Sequence, residues 1–327
     1  MSREAGGGRR PLGEPRLPSA PSRLPVVLAF LVIYLIWGST FLAMRSAVAE
    51  IPASILVCIR CFGGAAILLG WARWQGGGSS RADWTGSMIA GGLFFLTGQG
   101  LLAYGLRFIP SGTSAVFLAT IPLWIVLFGA LIDRRAPSWL TMVGCVVGLA
   151  GVAILALIRV EGGLEEWSPL GTAALLLSSV SWAAGTEFSR RRRTSEDPLS
   201  RTGRQLLCGG VFLLAVAVLK GDLAAWSPTQ IGAETIGAMV FLIVCGTALG
   251  FGAYSWLLRV VRPAVVSTYA FVNPVVALIL GWALAGEPLT PVLLGASGVV
   301  LAAVAIVILS PSSEQGAGSR EQGAGSR

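Results

Sequence analysis

The chain holds no histidine and a single lysine, Lys220. Without histidine it lacks the commonest metal ligand and the commonest proton shuttle of neutral pH. Charge of either sign is scarce: 12% of residues are Asp, Glu, Lys or Arg, against about a quarter in soluble domains. The cysteines number 5, and Cys58, Cys61, Cys145, Cys208 and Cys245 all fall inside apolar runs. Cys58-x-x-Cys61 has no second ligand pair, so on an apolar helix it reads as two small side chains on one face, not as a redox or metal motif. No metal or cofactor is expected. No Walker sequence is present, and no Ser-His arrangement or paired intramembrane acids that would mark an enzyme.

What the chain has instead is apolar length. Hydrophobic residues make up 54% of its 327 positions and the mean hydropathy is +0.75. Runs of about twenty apolar residues, the length that spans a bilayer, recur at about 25–46, 51–72, 86–107, 110–132, 138–158, 168–189, 203–220, 231–257, 264–284 and 290–310. These predict ten membrane spans joined by short links. Residues 1–24 and 311–327 read as disordered tails, the second ending in EQGAGSR written twice, and 159–167 as an outer linker. The lipid bilayer is therefore the first partner.

The net charge of +8 does not point to nucleic acid, because the arginines lie in short segments between spans instead of forming a patch. All of the 24 basic residues except Arg45, Arg60, Arg107, Arg159 and Lys220 fall on one side of the threading that starts with the N-terminus inside. That asymmetry predicts a multi-pass cell-membrane protein with both termini cytoplasmic.

The chain also repeats itself. Gly98-x-Gly100, Leu106-Arg107, Pro122 and Gly129 return as Gly250-x-Gly252, Leu258-Arg259, Pro274 and Gly281, always 152 residues on (250 less 98). Each copy holds five spans, 25–158 and 168–310. An odd number sends the second copy through the membrane upside down. Two such units define a pseudo-two-fold axis in the membrane plane and a cavity near the midplane, the plan of many secondary transporters.

Several segments resemble a known family. Ile36-Trp37-Gly38-Ser39-Thr40, Ile59-Arg60-Cys61-Phe62 and Gly144 to Gly151 are similar to the first repeat of EamA-type permeases of the drug/metabolite transporter superfamily. Tyr269-Ala270-Phe271-Val272-Asn273-Pro274 and Gly286-Glu287-Pro288-Leu289-Thr290 are similar to the second. The resemblance implies an all-α fold of ten helices in two inverted five-helix repeats. It also implies transport of small organic metabolites or drugs, often outward. Asp133-Arg134-Arg135 departs from the acidic residue often found before the fifth span.

Within that frame some residues are candidates for the solute path. Pro122 and Pro274 free the carbonyls of Leu118 and Ala270, as packed kinks or as hinges beside a cavity. Gln99 and Asn273 are interhelical ties worth about 0.6 kcal/mol or solute contacts. Trp37 and Trp182 hold matching places in the first span of each repeat, and Thr40, Tyr254 and Tyr269 add hydroxyls to an otherwise apolar wall. Trp71, Trp74, Trp84, Trp139, Trp167 and Trp226 stand at span ends, as interfacial anchors do. Arg60 lies about nine residues into its span, roughly 13 Å deep at 1.5 Å per residue. A central arginine costs about 2.5–3.5 kcal/mol, so it either holds helices through carbonyls or binds an anion. Glu187 pairs with Arg190 to Arg193 or carries a proton. Glu287, with Pro288 and Thr290, reads as a cap on the tenth span. Gly144-x-x-x-Gly148 and Gly246-x-x-x-Gly250 permit close helix contact, within one chain or in a homodimer. A scaffold or sensor is the competing reading, but it would usually bring a soluble output domain.

Overall fold

In a computed structural model, residues 23–76, 83–134, 136–157, 168–192, 197–261, 266 and 268–309 are described. Most of both tails, the linker at 159–167, Arg135 and Arg193 lie outside them, as do the side chains of Leu258 and Arg259. Among the described residues ten helices run the length of one bundle: α1 Arg23–Val48, α2 Ala53–Trp74, α3 Trp84–Gly105, α4 Ser111–Asp133, α5 Trp139–Leu157, α6 Pro169–Arg191, α7 Pro198–Leu219, α8 233–260, α9 Tyr269–Ala285 and α10 Pro291–Leu309. Six of them, α1 to α4, α7 and α8, are long and apolar enough to cross a membrane by length and composition; α5, α9 and α10 contain shorter apolar stretches. The protein is an all-α polytopic membrane protein.

The helix contacts obey the repeat. α2 packs on α7, α4 on α9 and α5 on α10, so each of these helices meets its own counterpart. α3 lies against α6 as α8 lies against α1, and α4 touches α6 as α9 touches α1. Exchanging each helix for the one five places later leaves these pairings unchanged, as two related halves require. Because each half has an odd number of helices, the two run in opposite senses. Trp182 packs on Gly98 and Trp37 on Gly250, so the glycines of the shared register each seat the tryptophan from the other half's first helix. π-helical stretches at Gly92–Gln99 in α3 and Leu242–Leu249 in α8 recur in the same way. In each a threonine hydroxyl, Thr97 or Thr247, donates to the carbonyl five residues back and so takes up an acceptor that the wider turn leaves over.

Small residues set the closest approaches between halves. A Cβ on Gly38 of α1 would stand 2.6 Å from Val276 of α9, and one on Gly112 of α4 would stand 2.8 Å from the Leu278 backbone. Gly144 and Gly148 of α5 face Ala303 and Val307 of α10 and Leu123 of α4, so this small-residue series packs within one chain.

Three expectations are corrected. The seventh span begins at Pro198, not at 203: Asp197 accepts from the Ser200 amide at 2.9 Å and Pro198 opens the first turn, as N-cap and N1 chemistry favours. Arg201 and Arg204 therefore ride on α7, and Arg204 is only 7% exposed. Trp71 and Trp226 are not lipid-surface anchors, since both pack against the core; Trp74 and Trp139, 84% and 75% exposed, do stand at the surface. Glu287 does not cap the tenth helix. Thr290 does that, accepting from the Leu293 amide at 3.2 Å, while Glu287 reaches α4.

Candidate functional site

Where α1, α2, α3 and α8 meet, a polar group sits inside the bundle. Arg60 of α2 is 8% exposed. Its Nε donates to Thr247 Oγ1 at 3.2 Å, and its Nη1 donates to Gln99 Oε1 at 3.0 Å and lies 3.3 Å from Met44 Sδ. Thr40 closes the same spot from α1: its methyl faces Gly246, and its hydroxyl donates to the Trp37 carbonyl at 2.6 Å. Apolar residues around this group raise the cost of any uncompensated charge.

Next to it is an aromatic wall. Trp37 meets Phe251, Tyr254 and Tyr269 with ring centroids 5.6, 5.4 and 5.1 Å away, within the range of favourable tilted and edge contacts. The Trp37 indole N–H donates to the Gly246 carbonyl at 3.0 Å. Tyr34 and Thr268 share a hydrogen bond of 2.5 Å between α1 and the start of α9. Asn273 is buried one turn along α9 from Tyr269; its carbonyl backs onto Gly38 and its Oδ1 has no hydrogen-bond partner among the described residues. Trp182 lies apart from this wall, against Phe94 and Phe95 at 5.0 and 6.4 Å, where Ser178 donates to the Gly98 carbonyl.

Thus the structure brings Arg60, Gln99 and Thr40 into one cluster and Trp37, Tyr254 and Tyr269 into an adjoining one. Glu187 does not join them. It sits near the end of α6, 2% exposed, and accepts from Arg190 at 2.7 and 2.9 Å and from Arg191. Arg191 reaches Asp133 of α4 at 2.8 Å, and Arg192 pairs with Asp83 before α3. Asp83 also caps α3 through the Gly86 amide. The Arg192 hydrogen bond, with this amide, holds the Asp83 carboxyl below the ordinary carboxylate range. This arginine-rich end carries an open groove of about 510 Å³ lined by Phe128 and Ile132 of α4 and by Ala184, Glu187, Phe188, Arg191 and Arg192.

The opposite end is tied shut between the halves. Glu287, in the link from α9 to α10, accepts from the Ser111 and Gly112 amides at 2.7 and 3.0 Å. These are among the first amides of α4, which no intrahelical carbonyl satisfies, and Pro110 offers no side-chain cap. Arg45 of α1 lies 3.3 Å from the same carboxylate. Beside it, Glu50 accepts from the Gly232 amide at 2.7 Å, and Ser54 donates to Asp222.

α4 connects the two ends, and it is broken. Its first segment stops at Leu118, its second starts at Ile121, and Pro122 occupies that new first turn. The Thr120 hydroxyl donates to the Phe117 carbonyl at 2.6 Å, supplying a partner at the break. The segment before the break packs on α9 and the one after it packs on α6. Pro274, by contrast, lies inside a continuous α9. Met44, Phe251 and Tyr34 had no warning in the sequence; Thr247 bears a hint, as the polar member of an apolar run.

A bundle of two inverted five-helix units with polar side chains enclosed between them is the architecture of a membrane transport protein. Family comparison agrees. The EamA-like transporter family profile matches twice, over residues 24–157 and 169–309, and the chain belongs to that family. It is 31% identical over 290 residues to an uncharacterized inner membrane transporter of Escherichia coli, YedA, covering 88% of this chain and 91% of that protein. It is 26% identical to an uncharacterized transporter of Bacillus subtilis, YvbV, over 90% of this chain and 93% of the other. A solved crystal structure at 19% identity superposes with a TM-score of 0.59 over 86% of this chain and 96% of its own, a likeness of fold alone.

Proposed function

We propose that the protein is a secondary active transporter of small organic metabolites or drugs, working outward across the cell membrane by alternating access. Its arginine-rich end and both termini are cytoplasmic, on the positive-inside argument and the likeness to an inner membrane transporter. The halves are 25–158 and 168–310, and the solute path runs between them. It passes Arg60, Gln99 and Thr40, the wall of Trp37, Tyr254 and Tyr269, and Asn273, with Trp182 and Glu187 flanking it toward the cytoplasm.

The divergence of α4 from α9 carries this reading. One segment of α4 is clamped to α9 and Glu287 at the outer end; the other leaves with α6 and borders the 510 Å³ groove. The contrast between a clamped end and a grooved end supports alternating access, with the clamped end read as the outer one. Pro122 is the hinge at which the segments part, and Pro274 is its stiffer counterpart.

The test is a counterflow screen: purified protein in proteoliposomes, a broad panel of amino acids, nucleobases, organic acids and cationic drugs. Exchange of at least one labelled solute, abolished by Pro122→Trp, is expected. Absence of solute-dependent flux across the whole panel would favour a scaffold instead.

A further inference from the structure

Among the described residues several acids at the two ends of the bundle face basic side chains, whereas Arg60, deep in its span, faces no acid. Glu187, Asp133 and Asp83 face Arg190 to Arg192 at the cytoplasmic end; Glu287 and Asp222 face Arg45 and Lys220 at the other. Arg60 meets only a hydroxyl, an amide carbonyl and a thioether. All three are neutral, and the thioether is a weak acceptor. Nη2 has no hydrogen-bond partner among the described residues. A side chain needed only to join α1, α2, α3 and α8 through neutral acceptors has no use for a net charge that the membrane makes costly.

Building on the transport reading, we infer that Arg60 is the anion subsite of the path and that the solute is a carboxylate with an apolar body. The carboxylate docks on the Nη1–Nη2 edge, the planar fork that suits two oxygens, and displaces the Met44 sulfur. Gln99 stays within reach to turn its amide N–H toward the same group. Gly246 puts no side chain against Nη2; a Cβ there would touch Nη2 at 3.8 Å and press on the Thr40 methyl at 2.9 Å. The same glycine's carbonyl holds Trp37, so the aromatic wall begins where the anion site ends and receives the apolar body. Among the described residues no acid accompanies this cluster to take an ammonium, which favours simple monocarboxylates over zwitterions.

The experiment uses the full-length protein in lipid nanodiscs at pH 7, with thermal unfolding followed by tryptophan fluorescence. Benzoate, phenylacetate and hexanoate are compared with benzamide, phenylacetamide and hexanamide. The acids are expected to raise the midpoint by about 3 °C at tenfold over Kd and the amides to leave it unchanged. Arg60→Gln loses the shift and Arg60→Lys keeps part of it. The acid-against-amide comparison stands on the wild type, so it survives a variant that does not fold. Equal shifts from acids and amides, no shift from any probe, or an undiminished shift in folded Arg60→Gln overturns the assignment. Counterflow confined to neutral or cationic solutes also overturns it, while leaving transport intact. Acid-specific stabilisation with no flux for any solute would instead sink transport and keep the subsite.

Discussion

Glu287→Gln is expected to loosen the outer end without unfolding the bundle. The carboxylate accepts two backbone amides of α4 and faces Arg45. Glutamine keeps one acceptor oxygen but turns an NH2 toward the second amide. One charge-assisted bond, worth about 1.5–3 kcal/mol, is lost and the other drops to a neutral bond. The Arg45 pair adds little, because that side chain is 37% exposed and surface pairs are worth about 0–1 kcal/mol. The loss comes to about 3 kcal/mol, or roughly a hundredfold in the local opening equilibrium. Hydrogen–deuterium exchange in nanodiscs reads this directly: peptides covering 109–118 should exchange about a hundredfold faster, while peptides over α6 near Glu187 should not change. Unaltered exchange at the start of α4 would refute the reasoning.

Gly250→Ala puts a methyl group onto the Trp37 indole and should cost about 1–3 kcal/mol by overpacking. Gly237→Ala, with nothing near it, should be neutral or slightly stabilising; thermal unfolding in detergent compares the two. Arg134 ends α4 at φ 52, a left-handed position that favours glycine, so Arg134→Gly should gain up to about 1 kcal/mol in the same assay. The Asp83–Arg192 clip stabilises above the ordinary carboxylate pKa and fades as pH falls through the depressed folded value. The wild type should therefore lose stability below about pH 4 more steeply than Asp83→Asn; parallel curves would count against the clip. Reporter fusions to both termini should place them together in the cytoplasm, and opposite sides would contradict the threading.

The ten spans and their pairing were legible because bilayer thickness sets the length of each apolar run and the glycines and prolines keep a common register. Hydropathy failed at α7, where Asp197-Pro198 starts the helix ahead of its apolar part and so places Arg201 and the buried Arg204 on it. Position along a span also could not separate Trp74, which faces outward, from Trp71, which packs against Gly252; that depends on which neighbour covers the face. Arg60 and Gln99 stood out as polar groups in apolar runs, whereas their meeting with Thr247 and Met44 depends on how four helices cross. Glu287 was readable as helix-cap chemistry, but which helix it caps is a fact of tertiary structure.

The acid of the Glu287 clamp is not repeated at the matching position of the first repeat. Arg134 and Gly286 end their helices in the same left-handed turn, and the residues that follow are Arg135 and Glu287. The second repeat thus carries an acid where the first carries a base. If the halves exchange roles as the proposed transport cycle requires, the two closed forms are then unequal in free energy. On that reading the form latched by Glu287 is favoured at rest, and the difference between the two forms is returned when the cycle closes.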